Sequence, residues 1–123
     1  MNWWVVAIGG ALGSVARYFV SSVARAWWPG FPWGTLIVNM VGGLLMGLIA
    51  GLAMQRPSFS EPLRLGLATG VLGGFTTFSA FSLDTMLLWR DVSASLALLN
   101  VAVNVGLSLL ACALGLWLSR QLA

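Results

Sequence analysis

Residues 70–82 read Gly-Val-Leu-Gly-Gly-Phe-Thr-Thr-Phe-Ser-Ala-Phe-Ser, inside a stretch otherwise apolar enough to cross a bilayer. A glycine pair, two threonines and two serines weaken a helix at the depth where lipid normally enforces one. Backbone released from helical hydrogen bonds at that depth is tolerated only where it is buried in protein or lines a polar cavity. Interrupted helices of this kind are where membrane proteins bind ions. The stretch predicts an all-helical membrane protein whose third helix is broken and which handles ions.

Composition agrees. Of 123 residues, 59% are hydrophobic and 7% charged, against about 25% charged in an average soluble domain. A span takes about 20 mostly apolar residues, so one transmembrane domain over residues 1–123 has room for four spans. These are predicted at about 3–28, 33–54, 62–89 and 93–118. The first run lacks a preceding basic side chain and is too long for the core of a signal peptide. Pro29, Gly30 and Pro32 set the first turn, residues 55–61 a polar loop, and Arg90 and Asp91 the last turn. Trp3, Trp4 and Trp117 are expected at one membrane face and Trp27, Trp28, Trp33 and Trp89 at the other, because indole favours the interface.

The net charge of +3 comes from arginine alone. It suits anionic headgroups, and no basic stripe interleaved with aromatics suggests nucleic acid as a partner. Arg56, Arg64 and Arg120 fall on the face that holds both termini, Arg25 and Arg90 on the opposite face. Basic residues in short loops set orientation. Three against two gives either one orientation fixed by a small difference or insertion of copies both ways as an antiparallel homodimer. No internal repeat is present, so any inverted symmetry must come from a second copy. Glycines every four residues, at 43, 47 and 51 and again at 66, 70 and 74, permit close helix approach.

Several polar residues fall within the spans. Asn39 lies in line with Gly43 and Gly47, and reads either as interhelical glue or as a donor to an ion. Asn100, Asn104 and Ser108 follow at four-residue spacing and share one stripe, a polar track offering donors without a carboxylate. Such a track suits an anion, whereas a cation path more often shows acidic rings. Phe78 and Phe81 share a face beside the break, either as packing or with electropositive ring edges turned to an anion. Asp84 is the one carboxylate well inside a span, functional or approaching the interface near Trp89. Arg17 either snorkels to headgroups or draws anions to a vestibule. With no histidine, a lone Cys112 expected to be buried and inert, and no carboxylate pair, no catalytic set exists. An enzyme is not expected.

Three motifs carry a family resemblance: Gly-Gly-Ala-Leu-Gly-Ser-Val-Ala-Arg-Tyr at 9–18, Gly-Thr-Leu-Ile-Val-Asn-Met-Val-Gly at 34–42, and Gly-Gly-Phe-Thr-Thr-Phe-Ser-Ala-Phe-Ser at 73–82. With them the chain resembles the Fluc (CrcB-type) fluoride channels. The resemblance implies an antiparallel, dual-topology homodimer in the bacterial inner membrane with two fluoride pathways. It also implies a structural sodium ion at the dimer centre, held by backbone carbonyls of Gly73 and Thr76. Asn39, Phe78 and Phe81 match its fluoride-pathway positions. The hydroxyls of Thr77, Ser79 and Ser108 and the amide of Asn104 are assigned to the same pathway, with Arg17 and Asp84 as vestibule or structural charges. Ala80 stands where the family frequently has a hydroxyl, and Asp84 where it frequently has Glu.

The expected function is passive fluoride export that protects a microbial cytoplasm. A small, strongly hydrated anion needs donors that replace its lost water yet hold it weakly enough to release. The alternative is a small multidrug-type, dual-topology, proton-coupled transporter, which should carry a mid-membrane carboxylate in its first span. That span has Arg17 and no acid. A third possibility is an assembly subunit without transport activity.

Overall fold

The computed structural model describes residues 2–122, all helix and connecting turns among those residues. α1 is Trp3–Trp27 and α2 is Trp33–Gln55. α3 covers residues 61–75 and is composite: α-helical Glu61–Arg64, π-helical Leu65–Leu72, then a last α-turn Gly73–Phe75. After a break, α4 is Ser79–Asp91, and α5 is Ala94–Leu122. Counting α3 and α4 as one broken span, four segments are long and apolar enough to cross a membrane. No span buries more than 28% of its most apolar window within the chain. The rest faces outward, as lipid-exposed leucines, valines and methionines do. All seven tryptophans are exposed, as the interfacial assignment requires.

Two helix pairs build the chain, and glycine decides both. α2 lies along α5 with Gly43, Gly47 and Gly51 turned to it. A methyl group on Gly47 would collide with the Cys112 carbonyl, and one on Gly51 with the Ser119 side chain. Gly115 answers from α5, set against the Leu44 carbonyl. α1 lies along α3 in the same way: a methyl on Gly13 would strike the Val71 carbonyl, and one on Gly74 would stand 2.5 Å from the Gly10 carbonyl. In lipid, where apolar surface gains little by leaving its solvent, such backbone-to-backbone approach is what draws helices together. Gly34 against Ser21 joins α1 to α2. Gly30, at φ 100°, makes the left-handed step between those helices that a side chain would disfavour.

The break falls within residues 70–82, as expected, at Thr76–Phe78 just after the glycine pair. Gly73 is still helical (φ −63°, ψ −37°), and the chain leaves the helix at Thr76 (φ −82°, ψ 159°). Gly74 serves packing on α1 rather than backbone freedom. The π winding upstream, where the Gly73 N–H reaches back to the Ala68 carbonyl, has no counterpart in the sequence expectation. α5 also outruns its expected end at 118. Ser119 is buried there, donating to the Leu116 carbonyl at 2.6 Å and accepting from Gln55 Nε2 at 3.3 Å. Cys112, expected to be buried, is half-exposed, its backbone rather than its thiol meeting Gly47.

Candidate functional site

At the break each backbone group finds a different partner. The Thr76 N–H and hydroxyl both donate to the Leu72 carbonyl, at 3.0 and 2.9 Å. Thr77 then turns to α2. Its N–H donates to Asn39 Oδ1 at 2.9 Å, and its carbonyl accepts from Asn39 Nδ2 at 3.1 Å. One side-chain amide thus replaces the two helical bonds that Thr77 loses. Thr77 Oγ1 accepts the Ala80 N–H at 3.1 Å, capping α4, and lies 3.3 Å from Ser79 Oγ. With the Thr77 and Ala80 amides so engaged, the carbonyls of Gly73 and Thr76 lack the donors that a continuous helix would supply. Gly73 is exposed on the chain's surface and Thr76 half-buried. The Gly74 carbonyl accepts from Arg17 Nε at 3.1 Å, so Arg17 braces the break from α1 instead of snorkelling to headgroups.

A groove of about 430 Å³ opens beside the break between α2 and α5, walled by Asn39, Thr76, Phe78, Phe81, Asn104 and Ser108 among others. Ser108 Oγ is buried there and is the one buried side-chain polar atom without a hydrogen-bond partner among the described residues. Phe78 and Phe81 meet edge to face, centroids 5.4 Å apart and planes at 63°. Phe81 is 8% exposed, but Phe78, which lies in the break rather than on α4, is 76% exposed and projects from the chain. Ser79 is also exposed.

A second cavity, about 580 Å³, is lined by Arg17, Arg25, Thr35 and Asp84 among others. Asp84 accepts the Thr35 hydroxyl at 2.7 Å, which ties it to α2 and away from Trp89. Thr35 escaped the sequence reading, although it lies one turn before Asn39 on the same face of α2. Thr85 escaped it too. Asn100 Nδ2 donates to Thr85 Oγ1 at 2.9 Å, and Asn100 and Asn104 are buried together between the helices. The expected track of Asn100, Asn104 and Ser108 therefore divides: the two amides bond to each other, and the hydroxyl alone is free in the groove.

Residues 4–116 match the family described as CrcB-like protein, Camphor Resistance (CrcB). This chain belongs to that family. The matched stretch contains every residue of both cavities discussed above. Within the CrcB family, the chain is 50% identical over 121 residues to the "Fluoride-specific ion channel FluC" of Rhizobium etli (strain CIAT 652), covering 98% of this chain and 97% of that protein. It is 53% identical over 117 residues to the protein of the same name from Paracoccus denitrificans (strain Pd 1222), covering 95% and 93%. A relative of that name from Magnetococcus marinus is 50% identical over 116 residues, 94% of each chain. As a CrcB protein with four membrane-crossing segments, this is a multi-pass membrane protein.

Proposed function

We propose that this chain forms a fluoride channel, an ion pathway rather than an enzyme, passing fluoride down its gradient. The observation that carries the reading is near-half identity, over almost the whole chain, to proteins named fluoride-specific ion channels. The groove beside the break agrees with it. An unpartnered buried hydroxyl at Ser108 and the edges of two phenyl rings offer positive partial charge without a fixed cation that would trap the ion. Arg17 and Arg25 at the second cavity would concentrate anions at its mouth. Against a proton-coupled exchanger, α1 has no carboxylate, and Asp84 lies on α4, bonded to Thr35.

The working unit in this reading is an antiparallel dual-topology homodimer in the bacterial inner membrane. Exposure of Phe78, the open groove and the nearly balanced arginines support it. A second copy across the break would close the groove. It would also bring together four carbonyls, Gly73 and Thr76 from each chain, and those are hard oxygen ligands suited to sodium. No cluster of three or more metal-ligating side chains exists among the described residues, so main-chain oxygens are the donors in this proposal. Efflux from liposomes bearing the purified protein tests the function. Fluoride should leave far faster than chloride, and equal rates would reject a selective fluoride channel.

A further inference from the structure

The polar residues between α2, α4 and α5 form one chain of hydrogen bonds that all point the same way. It starts at the Thr77 N–H, which donates to Asn39 Oδ1 at 2.9 Å. Asn39 Nδ2 donates to Asn104 Oδ1 at 3.1 Å, and Asn104 Nδ2 to Asn100 Oδ1 at 2.9 Å. Asn100 Nδ2 donates to Thr85 Oγ1 at 2.9 Å, whose hydroxyl donates to the Phe81 carbonyl at 2.8 Å. Backbone groups fix the amide orientations. The Thr77 N–H can face only the oxygen of Asn39, and the carbonyls of Thr77 and Asn100 can face only the nitrogens of Asn39 and Asn104. Asn39 Nδ2 and Asn104 Nδ2 each donate to two acceptors within the protein.

We infer that Asn39, Asn104, Asn100 and Thr85 are positioning residues, a relay that holds the Thr77 backbone out of the helix by anchoring it to α4. Aligned hydrogen bonds polarise one another, so the link farthest from the break still acts on it. The relay begins at residue 77 and ends at residue 81, spanning the junction between break and α4 through two other helices. Thr85 is the link to cut, because Val has the same shape and lacks the hydroxyl, whereas Ser keeps it.

Two measurements on the purified wild-type and variant proteins decide the matter. One is hydrogen exchange of the Thr77 amide. The other is fluoride efflux, whose meaning rests on the channel reading, whereas the exchange does not. Thr85→Val should speed Thr77 exchange about tenfold and slow efflux about tenfold, the scale of one lost buried hydrogen bond, while the oligomeric state is kept. Thr85→Ser should restore both. Asn100→Ala, which cuts the same relay one link nearer the break, should reproduce the exchange effect. Unchanged Thr77 exchange in folded Thr85→Val protein would overturn the relay. So would Thr85→Ser behaving like Thr85→Val, since the hydroxyl would then be irrelevant. If the wild-type protein carries no fluoride, the transport proposal fails on its own and the exchange results still judge the relay.

Discussion

Ser108 and the two phenylalanines can be probed with little risk to the fold. Because Ser108 Oγ has no partner, removing it leaves no group unsatisfied, and burying an unpartnered hydroxyl itself costs about 1–3 kcal/mol. Ser108→Ala should therefore be as stable as the wild type or more so, while fluoride efflux falls about tenfold for the loss of one hydrogen bond worth about 1.4 kcal/mol. Thermal unfolding alongside liposome efflux separates the two effects. A destabilised Ser108→Ala protein would mean that the hydroxyl bonds within the chain after all. The double variant Phe78→Leu, Phe81→Leu asks the companion question. Such near-isosteric changes usually cost under about 1.5 kcal/mol each, so the fold should persist, and efflux should collapse because the ring edges are gone. Wild-type flux in that variant would return the rings to ordinary packing.

Among the elements, the α2–α5 contact leaves no room for a side chain at its central glycine. Gly47→Ala drives a methyl group into the Cys112 carbonyl, so α2 and α5 must draw apart to admit it. Overpacking of this kind typically costs about 1–3 kcal/mol, so thermal unfolding should shift down clearly. Gly106→Ala, where nothing lies within 4 Å, should not shift it. The sequence separated these cases only in part. Four-residue glycine spacing marked both close contacts, and tryptophans and arginines marked the spans, because both signals are local. The break was legible as a region, from the glycines, threonines and serines of residues 70–82, but its partner was not: Asn39, 38 positions from Thr77 in sequence, takes up the backbone groups that Thr77 releases. Spacing likewise put Asn100, Asn104 and Ser108 on one stripe without revealing which way each amide points. Direction alone turns the asparagine amides to one another and leaves the Ser108 hydroxyl without a partner.

At the scale of the whole molecule, the arginine balance makes a prediction of its own. If copies insert in both orientations, adding two lysines to the 55–61 loop should hold that loop on the cytoplasmic side, since basic residues in short loops resist translocation. That variant alone should lose fluoride efflux. Coexpression with a variant biased the other way, by lysines beside Arg90, should restore it. Full efflux from one strongly biased variant would exclude the antiparallel arrangement. The sequence showed the balance of charge, but not which surface would meet the partner. In the proposed dimer that surface is the one on which the fold leaves Phe78 and Gly73 exposed.

The outward-facing break also bears on how many working pores a cell obtains from a given amount of protein. A solitary copy leaves the carbonyls of Gly73 and Thr76 without the donors of a continuous helix, so only paired copies conduct in the proposed assembly. At low density in the membrane, pore number then follows the product of the two orientation populations and not their sum. Fluoride resistance should climb more steeply than expression when the gene is induced from a low level, and flatten to proportionality once nearly all copies are paired.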